Sequence, residues 1–193
     1  MPNLVIISGS NGSGKSTAAP TLLQNTVHID NFVNADVIAK GLSAFQPEKV
    51  AMQAGRIMLD RIHQLANESA TFAFETTLAS KTFAPWIKRL KEVGYKFHLV
   101  FLWLKSEELA ISRVNERIKM GGHSVPEETI RRRYHAGLRN FFHLYSPIAD
   151  RWSFYDNSDS NQFNLIAAKS NEYKIHIEQP VLWQKLKETY YEK

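Results

Sequence analysis

The run Gly9-Ser10-Asn11-Gly12-Ser13-Gly14-Lys15-Ser16-Thr17 has the form G-x-x-x-x-G-K-[ST], the P-loop pattern. Before it, Leu4-Val5-Ile6-Ile7-Ser8 is short, apolar and partly β-branched, as a buried strand is. After it, Ser16 to Asn25 reads as a helix start. Strand, glycine loop and helix in this order build a phosphate cradle. Glycines let the backbone wrap a phosphate chain without Cβ clashes, and successive N–H groups turn inward to bind oxygens. The helix N-terminus adds its positive dipole. In this setting Lys15 reaches the β- and γ-phosphates of ATP, and the Ser16 hydroxyl is the candidate ligand for Mg²⁺. The competing reading is an ordinary Gly/Ser turn, and the strand–helix context argues against it.

Composition bounds the rest. At 193 residues the chain reads as a single domain, 1–193. A hydrophobic content of 44% and a charged content of 22% belong to a soluble globular protein. No apolar run reaches the ~18 residues of a membrane span. The chain enters its first strand directly, with no leader to read, and the expected location is the cytoplasm. There are no cysteines, which excludes disulfides, thiolate zinc sites and cysteine nucleophiles. A net charge of +5 suits a nucleic-acid binder or an enzyme for polyanionic small molecules. Lys and Arg are dispersed apart from Arg131-Arg132-Arg133, which makes nucleic acid the weaker reading.

Further along, Val27 to Val33 reads as a second strand that gives way to a loop at Asn34 and Asp36. In open α/β sheets the carboxyl ends of strands face the ligand crevice. Asp36 is therefore either a base or a holder of a magnesium-bound water, or simply the cap of a helix over Val37–Lys40. From Glu48 to Asn67, Val50, Ile57, Leu59, Ile62 and Leu65 recur at helical spacing, with Met52 and Met58 expected as core filling and Arg56 as an exposed ion-pairing residue. Thr71 to Glu75 alternates as a strand does. It ends in Glu75-Thr76-Thr77, read either as contacts for a hydroxyl-rich substrate or as a capping arrangement for a helix from about Thr82 to Gly94. Phe97 to Leu104 is the most apolar strand and is expected at the sheet's centre, with His98 and Trp103 as packing residues. Ser106 is the expected cap of the next helix, with Glu108 and Arg113 on its polar side.

Residues of about 113–135 read as a mobile lid: a helix through Arg113 and Arg117, a hinge over Met120-Gly121-Gly122-His123-Ser124-Val125, and a second helix opened by Pro126 and carrying Arg131, Arg132 and Arg133. Lid arginines can neutralise charge on a transferring phosphoryl group. The alternative is a basic face for solvent or nucleic acid. Consecutive arginines cannot share one direction on a helix, so one or two at most serve a site. Trp152 to Tyr155 reads as a last core strand, followed by Asp156-Asn157-Ser158, where Asn157 would border a nucleotide. The appendage, about 161–193, reads as a β-hairpin of Phe163–Lys169 and Tyr173–Ile177 plus a short helix from Pro180 with Trp183 and Leu186 packed inward.

The P-loop, Asn34-Ala35-Asp36-Val37-Ile38, Phe74-Glu75-Thr76-Thr77-Leu78, Gly121 to Pro126 with its following arginines, and Tyr155-Asp156-Asn157-Ser158 together resemble the zeta-toxin-like P-loop kinases from about residue 3 to 160. The resemblance implies an α/β kinase-type P-loop domain with a central parallel sheet flanked by helices. It implies transfer of the γ-phosphoryl group of ATP to the 3′-hydroxyl of UDP-N-acetylglucosamine. It puts the base role on Asp36, phosphate binding on Lys15, sugar contacts on Glu75 and Thr76, with Thr77 beside them, and the γ-phosphate arginine on Arg117, with Arg113 as competitor. It also implies an antitoxin protein as partner. One departure stands out: His123 occupies the neighbourhood of the family's second arginine, so that role passes to Arg132 or Arg133. Two other readings remain at this stage. One is a kinase of another hydroxylated metabolite or nucleotide. The other is a nucleic-acid-associated ATPase or nucleotide-triggered binding module.

Overall fold

The computed structural model describes residues 1–24, 29–122, 124–159, 162–170 and 174–192. Within them one seven-stranded sheet is built in the order β2-β3-β1-β4-β5-β6-β7. Strand β1 is Asn3–Ser8. Helix α1, Lys15–Gln24, follows the glycine loop. Then come β2, Asn31–Val33, and α2, Ala35–Leu42. A 3-10 turn at Pro47–Val50 leads into α3, Ala51–Asn67. Next are β3, Phe72–Thr76, α4, Phe83–Glu92, and β4, Lys96–Trp103. Helices α5, Glu107–Lys119, and α6, Glu127–Asn140, are adjacent in the chain, and α6 runs on into a π turn at Phe141–Tyr145. Strand β5 is Arg151–Asp156, β6 is Asn164–Lys169, β7 is Ile175–Ile177, and α7 is Pro180–Tyr190.

Strands β1 to β5 pair in parallel, while β6 and β7 join antiparallel. The sheet is parallel where helices connect its strands, because a parallel connection must cross from one end to the other. Both of its faces are covered, so β1 and β4 are buried almost without interruption. Alternation along β1 divides the core. Leu4 and Ile6 enter the larger cluster with α3, α4, α5, α6 and α7, while Val5 and Ile7 meet Ala18, Ala19 and Leu23 of α1. The expected hairpin and final helix are present as β6, β7 and α7, with Trp183 and Leu186 buried. The hairpin's turn at 171–173, the start of the expected second strand at 27–28, and His123 lie outside the described residues.

Two expectations for α3 are corrected. Its buried stripe is Ala54, Met58, Ile62 and Leu65. Ile57 and Leu59 face outward, and Met52, expected in the core, is 77% exposed. Met52 and Leu59 lie instead on the wall of a cleft, which gives apolar side chains a place outside the core.

Candidate active site

The carboxyl ends of β1, β2 and β3 open onto a cavity of about 1140 Å³. Its floor is the P-loop, one wall is α2 and α3, another is the segment after β3, and α5 and α6 close it. The loop turns through Gly12 and Gly14 at φ of +76° and +80°, which non-glycine residues avoid. Asn11, Gly12, Gly14, Lys15, Ser16 and Thr17 line the cavity, while Gly9, Ser10 and Ser13 form the loop's inner side. Asn157 is buried beneath the loop and donates from Nδ2 to the Ser13 carbonyl at 2.8 Å. It supports the cradle from behind and does not line the cavity.

Lys15 Nζ donates to the carbonyls of Gly9 and Ser10, at 3.0 and 2.9 Å. Burial holds its pKa below the ordinary lysine value, against the pull of Glu75 and Asp36; Arg117 and Arg133 add to the lowering. Glu75, at the end of β3, shows the converse. Burial raises its carboxyl pKa, while Lys15 and a hydrogen bond from Ser16 oppose the rise. Ser16 Oγ donates to Glu75 Oε1 at 2.7 Å, and Asn34 Nδ2 donates to the same oxygen. The capping role suggested for Asp36 belongs to Asn34. Its Oδ1 accepts from the backbone N–H groups of Asp36 and Val37 at 2.7 and 3.3 Å. The N-cap preference for asparagine was the available sequence signal. Asp36 is thereby placed in the first turn of α2, its carboxylate 4.0 Å from Arg117 and facing the cavity. Glu75 likewise caps no helix: α4 begins after Thr82 without a side-chain cap.

The arginines separate cleanly. Arg113 donates to the carbonyls of Asn157 and Ser158 at 2.8 and 2.9 Å, so its guanidinium ties α5 to the segment after β5. Arg117 lies one turn later and faces Asp36. Gly122 packs over it so closely that a Cβ there would lie 2.6 Å from Arg117 Cγ. Arg131 turns away from the cavity and pairs with Glu107 and with Glu108, the latter at 2.9 Å. Arg132 and Arg133 line the cavity, and Arg133 donates to Asn11 Oδ1 at 3.3 Å. Burial and the neighbouring Arg132 lower the pKa of Arg133, with Asp36 opposing. Thr76 and Thr77 line the cavity next to Glu75, and Arg56 stands on its α3 wall with Met52 and Leu59.

Buried polar atoms normally find partners. Among the described residues, Ser10 Oγ, Ser13 Oγ, Glu75 Oε2 and the Nε and Nη2 of Arg117 are buried without a hydrogen-bond partner, as are Trp103 Nε1 and Glu107 Oε2, the latter 2.7 Å from His135 Nε2. Five of these seven atoms belong to the P-loop or to residues lining the cavity: Ser10 and Ser13 in the loop, Glu75 and Arg117 on the cavity. A carboxylate oxygen and a guanidinium edge left open on the cavity are suited to a phosphate chain and its cation.

Known proteins agree with this architecture. The family model described as Zeta toxin matches residues 1–166. A protein of Haemophilus influenzae described as uncharacterized is 31% identical over 126 residues, 65% of this chain and 88% of its own length. Among solved structures, the AvrRxo1-ORF1:AvrRxo1-ORF2 complex with sulphate ions superposes with a TM-score of 0.75 at 16% identity, covering 96% of this chain and 63% of that one. This chain therefore spans less than two thirds of that protein's length. The PezAT chromosomal toxin-antitoxin system of Streptococcus pneumoniae gives a TM-score of 0.66 at 15% identity, over 100% of this chain and 80% of that one. A putative kinase from Chloroflexus aurantiacus gives 0.61 at 14% identity, over 97% and 95%. At these identities the solved structures speak to the fold alone. With the family match, they make this chain a member of the zeta toxin family built on the P-loop kinase fold.

Proposed function

We propose that the protein is an ATP-dependent phosphotransferase that moves the γ-phosphoryl group to a hydroxyl of a small molecule, with UDP-N-acetylglucosamine as the leading acceptor. The observation that carries this reading is the set of open buried polar atoms at the P-loop and on Arg117, beside a carboxylate that faces the same cavity. The P-loop amides and Lys15 hold the ATP phosphates. Lys15 leaves the Gly9 and Ser10 carbonyls to do so. Asp36 accepts the proton of the acceptor hydroxyl as its oxygen bonds to phosphorus, and ADP departs. Arg117 and Arg133 face the charge that spreads over the transferring group. Arg113 acts on the nucleotide from the other side, through the segment carrying Asn157 and Ser158. Glu75, Thr76 and Thr77 meet the acceptor, and the apolar wall of Met52 and Leu59 shields it from water.

Ser16 Oγ and the open Glu75 Oε2 fit Mg²⁺, a hard cation that takes oxygen ligands. Bound there, the ion neutralises phosphate charge. An antitoxin partner is part of the same proposal, supported by family membership and by a neighbour that is a toxin-antitoxin system.

The test is to incubate the protein with ATP and a panel of hydroxylated metabolites led by UDP-N-acetylglucosamine. A mass gain of one phosphoryl group on that nucleotide sugar is expected. A gain on another metabolite alone would reassign the acceptor, and ATP turnover stimulated only by an oligonucleotide would overturn the reading.

A further inference from the structure

We infer that Asn140 is a positioning residue, which holds the acceptor-side segment after β3 in register with the arginines of its own helix. The inference rests on the phosphotransfer reading above. That segment turns at Leu78, whose φ of +59° puts a leucine in the left-handed region. Single residues visit that region when the surroundings over-determine them. Here the polar surroundings of the segment's carbonyls include α6 and its extension. Asn140 Nδ2 donates to the Leu78 carbonyl at 2.8 Å and to the Ala79 carbonyl at 3.1 Å. Tyr145 donates its hydroxyl to the Ser80 carbonyl at 2.5 Å. At Gly137 the helix backbone comes so near the Thr77 carbonyl that a Cβ would lie 2.6 Å from it. Inside the turn, the Leu78 N–H donates to Thr76 Oγ1 at 3.2 Å. Four consecutive carbonyls, from Thr77 to Ser80, are thus met by α6 and the π turn that continues it.

The spacing along α6 gives this a consequence. Gly137 and Asn140 follow Arg133 by one and two turns, on the same side of the helix. The first half of α6 therefore presents Arg132 and Arg133 to the phosphates, and its second half grips the segment that presents Thr76 and Thr77. Asn140 is buried, and its side-chain amide donates to this segment's backbone. Its part is to keep the two halves of the cavity at a fixed separation, and small errors in that separation are costly for transfer.

The experiment compares Asn140→Ala and Tyr145→Phe with the unaltered protein, using UDP-N-acetylglucosamine as acceptor probe. Both variants should raise the acceptor KM and lower kcat, each by roughly tenfold for Asn140→Ala, while the ATP Kd moves by less than about twofold. Amide hydrogen exchange should quicken over residues 76–82 and stay unchanged over the P-loop. An acceptor KM that stays put while exchange quickens would overturn the inference. So would parallel losses in ATP and acceptor binding, which mean general loosening. If Asn140→Ala fails to fold, Tyr145→Phe carries the same test, since it keeps its ring in the core. If the unaltered protein phosphorylates nothing, the phosphotransfer reading fails by itself. Hydrogen exchange then decides the restraint, and unchanged exchange in both variants overturns it.

Discussion

At the amino ends of the parallel strands, Asp150 accepts a hydrogen bond from the Phe97 N–H at 2.8 Å and lies 3.1 Å from Lys91 Nζ. Lys91 also donates to the Ile148 carbonyl, Lys169 to the Ala149 carbonyl, and His98 is joined to Asn3. At the carboxyl ends, Glu75 is buried, yet among the described residues Glu75 Oε2 and two nitrogens of Arg117 have no hydrogen-bond partner. The two ends carry the same kinds of group. At one end the fold supplies the complementary charges; at the other some polar atoms lack a partner among the described residues, as the proposed binding of a ligand there requires. Unpaired buried polar atoms cost stability, so those of Glu75 and Arg117 are a cost that the proposed binding site accounts for.

That contrast can be broken most directly at Lys15. Lys15→Ala should lower phosphoryl transfer by roughly 10³-fold, since it removes a cation from the charge-bearing phosphates. The fold should survive, because the lysine's bonds go to carbonyls of its own loop. Steady-state transfer and a melting curve on the same preparation check both halves. A large loss of Tm would mean that Lys15 belongs with the structural charges after all.

The arginines sharpen it further. Arg117→Ala should reduce kcat by about 10²-fold or more with a smaller effect on ATP affinity, as expected for a group that acts on the transition state. Arg113→Ala should show the reverse, weaker nucleotide binding with a milder fall in kcat, because Arg113 secures the segment under the P-loop. Kinetics with ATP varied at saturating acceptor separates them, and an exchange of the two patterns would swap the roles. Asp36→Asn keeps the shape and removes the proposed base. Transfer should fall on the order of 10²-fold with ATP affinity retained. Its melting temperature should hardly move, because the cap of α2 is Asn34. Single-turnover transfer at the unaltered rate would take Asp36 out of the mechanism and leave Glu75 as the next carboxylate.

What the sequence revealed follows the range of the interactions involved. The strand, P-loop and helix of residues 3–24 are legible because their signals are local: an apolar run, glycines at fixed spacing, a lysine and a serine. The carboxylates were legible as positions, since both follow strands, but not as roles. Asp36 and Asn34 compete for one cap, and only geometry shows that Asn34 takes it. The inward face of α3 was misread for a physical reason. Met52 and Leu59 line a cleft, and an apolar cleft wall has the composition of a core. Arg113 and Arg117 are four residues apart and chemically identical; the difference lies in partners more than 40 residues along the chain for Arg113. The grip of Asn140 on Leu78 spans 62 residues and leaves no local pattern at either end.

The smallest effects test the two ends of the sheet through pH. Asp150 is the paired case. Burial alone would raise its pKa, but the Phe97 N–H and Lys91 outweigh it and hold the carboxyl below its ordinary value of 3.8. A carboxyl with a depressed folded pKa stabilises the fold above its unfolded pKa, and that contribution is lost as pH falls through the folded value. Glu75 is the open case, with burial raising it above 4.5. Its sign is opposite: the folded state holds the proton more tightly, so its contribution is complete below 4.5 and is lost as pH rises through the folded value. Asp150→Asn should therefore cost about 1 kcal/mol near neutral pH, with the cost shrinking towards zero below pH 3.8, and activity should be unaffected. Glu75→Gln keeps an oxygen for Ser16 and Asn34 and removes the buried charge. Relative to the unaltered protein, its stability should rise with pH from 4.5 upward, in the absence of ATP and Mg²⁺. Denaturant titrations from pH 3 to 8 on the three proteins read both slopes. If the two differences run in the same direction, Glu75 is paired as Asp150 is, and the separation of a satisfied edge from a waiting one does not hold. If they run in opposite directions and the Glu75 slope disappears when Mg²⁺ and ATP are added, the ligand is what satisfies that edge.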